Sequence, residues 1–160
     1  MNEEDVEYLV IHCSATPPSQ NHNVDTIRQM HLNKGWSDIG YHFVITRAGE
    51  IQNGRPSDVP GAHANMIKHG GISYNRISLG ICMVGGVDNA MVPVNNYTDE
   101  QWISLESLIG WLKNIHPDAQ IVGHRDLSPD KDGDGEIEEG EWVKACPCFD
   151  VKEWRTLSQQ

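Results

Sequence analysis

Apolar residues along this 160-residue chain follow two rhythms, short unbroken runs and helical spacing. The first run, VEYLVIHC at 6–13, is β-branched and apolar and reads as a buried central strand ending near His12. A second, Ser78 to Val84, stops at Gly85-Gly86. Tyr41 to Thr46 and Ile51 to Asn53 flank the turn at 47–50 and predict a hairpin, with His42 on the face opposite Tyr41. Gln120 to Gly123 is a short strand that delivers His124. Asn23 is placed to cap a helix over 24–35, with Ile27 and Met30 turned inward and Gly35 as its stop. Thr98 to Gln101 is a capping-box pattern ahead of Trp102, Leu105, Leu108, Ile109 and Leu112, a helix closed near His116-Pro117. Asp150 to Glu153 caps a final short helix carrying Trp154 and Leu157. Residues 54–77 show little periodicity and read as a long loop, a feature that in compact domains tends to be functional. Strands alternating with helices over this length predict one α/β domain, 1–160, with a central mixed β-sheet flanked by helices.

Composition narrows the partners. Apolar residues make up 38% and charged residues 22%, as expected of a folded globular chain. A formal net charge of −11 argues against nucleic acid, which needs clustered Lys and Arg. The start, MNEEDVEYL, lacks the basic and apolar segments of a signal peptide, and no apolar run approaches membrane-spanning length. The expectation is a monomer without a membrane anchor, made in a reducing cytoplasm. There, cysteines serve as core residues or metal ligands rather than disulfides. Cys13 and Cys82 lie inside apolar runs and are expected in the core.

Two metal sites are suggested. His12 and His124 each end a strand, where sites form in α/β sheets. Two histidines and a thiolate such as Cys146, with water as fourth ligand, make a catalytic zinc pattern, although spacing alone does not single out these three. Between His124 and Cys146 lies DKDGDGEIEEGE, whose seven carboxylates and one lysine carry more than half of the formal charge. It fits the EF-hand loop pattern in full. Asp130, Asp132 and Asp134 take positions 1, 3 and 5, and Gly135 takes the turn. Glu136 offers its carbonyl, Glu138 binds directly or through water, and Glu141 is the bidentate twelfth residue. Oxygen ligands at this spacing imply Ca2+. The run LSP before it excludes a helical flank, so this is an EF-hand-like insertion at 130–141 rather than a paired EF-hand domain. Glu141 precedes Lys144 and Cys146 closely, so Ca2+ is expected to order the segment that carries both.

VIHCSAT at 10–16, GWSDIGYHFVITRAGEI at 35–51, GAHA at 61–64, ISLGICMVGG at 77–86, GHRDL at 123–127 and KACPCFDV at 144–151 resemble, in order, the zinc-dependent N-acetylmuramoyl-L-alanine amidases. The likeness runs from about Val6 to Trp154 and is closest to the T7-type phage endolysins; peptidoglycan recognition proteins share the fold more distantly. The resemblance implies hydrolysis of the amide between N-acetylmuramic acid and L-alanine in bacterial peptidoglycan, leading to lysis. It places the Zn2+ ligands on His12, His124 and Cys146, the catalytic groups on Tyr41 and Lys144, and a substrate-binding histidine on His63. Tyr41 either activates water or stabilises the oxyanion. Cys148, where such relatives carry serine, is expected to point away from the site, and His22, His31, His69 and His116 to lie at the surface. The acidic insertion is not part of the resemblance. Such an enzyme would reach the wall in the periplasm after inner-membrane permeabilisation, and the lack of a wall-binding domain suits a Gram-negative host. Inhibition of a phage RNA polymerase is possible by resemblance only. The alternatives are a non-catalytic peptidoglycan-binding module and a bacterial wall-remodelling amidase.

Overall fold

A computed structural model describes residues 1–68 and 70–158. His69, expected at the surface, lies outside the described residues. Strands β1 (Tyr8–Cys13), β2 (Phe43–Ile45), β3 (Ile51–Asn53), β6 (Ser78–Met83) and β7 (Gln120–Gly123) form one sheet in the order β3-β2-β6-β1-β7. β6 and β7 run parallel to β1, and β2 runs parallel to β6; only the β2–β3 hairpin among these pairs is antiparallel. The sheet is therefore mixed, as the alternating pattern predicts. The long segment 54–77 is not structureless. It folds into a small antiparallel hairpin, β4 (Ile67–Lys68) and β5 (Ile72–Ser73), too short to leave a periodic signature.

The pleat sorts the chain into two faces. Leu9, Ile11 and Cys13 of β1 join Phe43, Ile45, Leu79, Ile81 and Met83 in a core against helices α2 (Asp99–Ile115) and α3 (Val151–Ser158). The other face presents Val10 and His12, with Val44 and Cys82 beneath helix α1 (Val24–Asn33). That second face carries the site. Cys13 and Cys82 are buried, as their apolar neighbours predict.

Helix ends follow the sequence closely. Asn23 Oδ1 accepts from the Thr26 amide at 3.0 Å, and Gly35 ends α1 with φ +89. At α2, Thr98 Oγ1 accepts from the Gln101 amide and Gln101 Oε1 accepts from the Thr98 amide. Gln101 is fully buried, and its amide donates to the carbonyls of Ile45 and Val84, clamping α2 onto the ends of β2 and β6.

Three exposure expectations fail. Met30 is 36% exposed because the buried stripe of α1 runs through Ile27 and His31, four residues apart, and leaves Met30 at the cleft. His31 is buried, with Nδ1 accepting from the Gly40 amide at 2.9 Å. His116 is buried where α2 ends, its Nδ1 donating to the Glu3 carbonyl. Among the described residues, no helix is long and apolar enough to cross a membrane.

Candidate metal centre

β1 and β7 run side by side in parallel, with Ile11 paired to Gly123. Each strand therefore sends out its next residue at the same end, and the rings of His12 and His124 stand 4.5 Å apart. Cys146 arrives from the segment after the acidic insertion. It is docked by the Arg125 amide on its carbonyl at 2.9 Å and by the Cys13 amide on its Sγ at 3.0 Å. One ligand atom from each of the three residues lies within 4.8 Å of the others. Sγ is 3.9 Å from His12 Nδ1. Metal–ligand bonds of about 2.0 Å to nitrogen and 2.3 Å to sulfur in a tetrahedron set that edge at about 3.5 Å, so the donor set fits a metal. Cys148 turns its Sγ to the Gly86 carbonyl at 3.1 Å, away from this cluster.

Burial sets the electrostatics. His124 is pushed down to about 4, first by loss of water and then by Lys144. Burial and then His63 hold His12 well below the ordinary histidine range, and burial and then His42 do the same for His63, so both rings are neutral. His31 falls to about 4 through burial, with Lys34 adding to it. Burial pushes the Tyr41 hydroxyl well above its usual value, aided by Cys82, and keeps its proton on.

Tyr41 lies two residues before β2, its ring 5.2 Å from that of His12. Because it stands outside the strand, pleat alternation does not separate it from His42, whose ring abuts His63 at 5.7 Å. Lys144 is exposed and faces the same space as the ligands. A cavity of about 250 Å³ runs from His12 and Cys146 past Tyr41 to Met30, Lys34 and Trp36. A second of about 580 Å³ continues from His63, His124 and Lys144 toward Met66 and Val143. The two form a groove whose middle is the His–His–Cys cluster. Met30, His31, Lys34 and Trp36 are wall residues that sequence reading missed. The signal available was His31 four positions after Ile27.

The acidic insertion is brought together in part. Carboxylate oxygens of Asp130, Asp132 and Asp134 lie within 4.8 Å of one another. Glu141 is buried and folds back over the loop, accepting from the amides of Lys131, Asp132 and Glu138. Gly135 has φ +89, and its amide donates to Asp130 at 2.7 Å, which lowers that carboxyl's pKa. Asp134 and then Asp132 raise the pKa of the exposed Glu138 by like-charge repulsion. Glu136 is exposed at the rim of the loop.

Residues 2–147 match the family described as N-acetylmuramoyl-L-alanine amidase. The chain belongs to this amidase family. The amidase is 38% identical over 151 residues to the endolysin of Escherichia phage T7, spanning 94% of this chain and 86% of that protein. It is 39% identical over 148 residues to the endolysin of Enterobacteria phage T3, spanning 92% and 84%. Among solved structures it resembles the N-acetylmuramoyl-L-alanine amidase LysC of Clostridium intestinale, with TM-score 0.70, 25% identity and coverage of 97% and 86%. The fold extends to a bumblebee peptidoglycan recognition protein, with TM-score 0.67 and 23% identity over 95% of this chain and 81% of that one. The amidase is thus an enzyme close to the phage endolysins, on a scaffold shared with peptidoglycan recognition proteins.

Proposed function

We propose that this amidase is a zinc-dependent endolysin that hydrolyses the bond between N-acetylmuramic acid and L-alanine in peptidoglycan, and that Ca2+ in the 130–141 loop steadies its active site. The convergence of His12, His124 and Cys146 with Tyr41 and Lys144 in one groove carries the reading. His12, His124 and Cys146 would hold the metal. Bound zinc supplies Lewis acidity, polarising the scissile carbonyl and making water a better nucleophile near neutral pH. Lys144, exposed at the centre of the groove, offers N–H donors to the carbonyl oxygen as negative charge develops. Tyr41 keeps its proton and acts as a hydrogen-bond donor that orients the reacting oxygens. The wall of Met30 and Trp36 gives apolar surface for the stem peptide or glycan on either side.

The calcium part rests on the full loop pattern, on Gly135 in the required conformation and on crowded carboxylates that a dication would relieve. The loop is tied to the metal centre at its exit. The Val143 amide donates to Ser128 Oγ at 3.0 Å, and the Arg125 guanidinium covers the Trp142 ring at 3.9 Å, while the Arg125 backbone holds Cys146. Mass spectrometry of muropeptides digested with and without a zinc chelator tests the chemistry. Release of free stem peptides from lactyl groups, lost on chelation and restored by Zn2+, is expected. Cleavage between sugars, or none, refutes it.

A further inference from the structure

His63 is a buried histidine whose surroundings define a task other than touching substrate. Its ring fits between two glycines: a Cβ on Gly80 would come within 2.6 Å of its Cγ, and one on Gly61 within 2.5 Å of its Cδ2. Asn75 Oδ1 accepts from the amides of His63 and Ala64 at 2.9 and 2.8 Å, pinning the backbone on which the ring is carried. Both ring nitrogens are engaged inside the protein. Nδ1 is 2.8 Å from His12 Nε2, and Nε2 is 3.2 Å from the Oγ of fully buried Ser78. Ser78 Oγ is in turn 2.6 Å from the Tyr74 carbonyl oxygen.

With neutral rings, that chain of contacts admits one proton arrangement. A carbonyl oxygen only accepts, so the Ser78 hydroxyl donates to Tyr74. Ser78 Oγ then accepts from His63 Nε2–H, which leaves the lone pair on His63 Nδ1. That nitrogen accepts from His12 Nε2–H. His12 is left with its Nδ1 lone pair beside Cys146 Sγ, 3.9 Å away, where the three candidate ligand atoms gather.

We propose that His63 is a positioning residue for the metal centre, locking His12, with Ser78 behind it, in the tautomer and orientation that present Nδ1 to the metal. No ring nitrogen remains for the substrate contact that sequence resemblance suggests. The inference rests on the metal reading of His12, His124 and Cys146. Partners on the remote nitrogen of a ligating histidine fix its tautomer and raise its basicity, and their loss typically costs on the order of 10–100-fold in metal affinity.

The test compares wild type, His63→Asn, His63→Leu and Ser78→Ala. Asn sets an amide oxygen where Nδ1 stood; Leu fills space and accepts nothing. Zinc affinity is read by competition with a chromophoric chelator, alongside the visible spectrum of each Co2+-loaded protein and thermal unfolding of each metal-free protein. His63→Asn should stay within about threefold of wild type. His63→Leu should bind zinc roughly 10–100-fold more weakly, with a changed Co2+ spectrum and no matching loss in metal-free unfolding. Ser78→Ala should fall in the same direction. Equal affinities and spectra for wild type and His63→Leu overturn the proposal, as does His63→Asn binding as poorly as His63→Leu. If His63→Leu does not fold, Ser78→Ala decides, and unchanged affinity and spectrum overturn it. A wild-type protein that binds no zinc overturns the metal reading itself, and this inference with it.

Discussion

Acidification should destabilise the metal-free enzyme well above the pH at which carboxylates titrate. Five histidines around the cleft, His12, His31, His42, His63 and His124, are held below the ordinary value by burial. A depressed folded value means that the unfolded chain binds more protons between the two, so stability is full above about 6.5 and is lost as pH falls. His31 and His124, at about 4, stay neutral at pH 5.5, whereas an unfolded histidine there carries about 0.9 proton. Integrating from pH 7.5 to 5.5 gives a loss of roughly 1.3 kcal/mol for each, near 2.7 for the pair. All five, if neutral throughout, set a ceiling of about 7 kcal/mol. For a chain of this size 2.7 kcal/mol corresponds to about 5–11 °C in Tm. The assay is urea or thermal unfolding of chelator-treated protein at the two pH values, at constant ionic strength. A change under about 1 kcal/mol, or a gain on acidification, would refute the claim that these rings are buried and neutral.

Other perturbations probe separate parts of the molecule. Lys144→Met should lower kcat by about 10²–10³-fold while leaving bound zinc, measured by atomic absorption, unchanged. Tyr41→Phe should cost on the order of 10²-fold in turnover at constant zinc content, the mark of a lost donor rather than a lost ligand. Gln101→Leu strands two buried carbonyls, of Ile45 and Val84, and two part-buried donors, on Arg47 and Thr98, at a residue that does not line the groove. It should cost about 3 kcal/mol, seen as a Tm lower by about 6–12 °C, with cleavage at 25 °C retained. Saturating Ca2+ at about 100-fold over its Kd should stabilise by about 2.7 kcal/mol relative to EGTA, and Glu141→Gln should abolish that difference in a melting assay.

Much of the fold is legible because local chemistry dictates it. Asn23, Thr98 and Asp150 hold helix ends where their side chains imply, each accepting from the amide three residues on. The β-branched runs become the sheet. The proposed ligand set comes from co-linear motifs, since no spacing rule links His12 to Cys146 across more than a hundred residues. Illegible features depend on which strands lie side by side. The parallel register of β1 with β6 pairs Val10 with Gly80, the strand glycine that admits the His63 ring, and so brings that ring to His12, two residues further along the same face of β1. His31 and His116 read as polar surface because their partners, the Gly40 amide and the Glu3 carbonyl, are backbone groups distant in sequence. Met30 reads as inward because two inward-facing stripes are compatible with α1 until the groove is known.

The Val143–Ser128 hydrogen bond has a consequence for how this enzyme can change. It closes the neck of the acidic segment, so the two sides of the insertion meet before the chain continues to Lys144 and Cys146. What lies beyond such a neck can lengthen at little cost, about 0.6 kcal/mol for each doubling of a flexible loop. His12 and His124 leave the sheet independently of it. The neck makes the position a socket: a loop of different length or chemistry could be seated there, its ordering reaching Cys146 alone of the three proposed ligands, with His12 and His124 left in place.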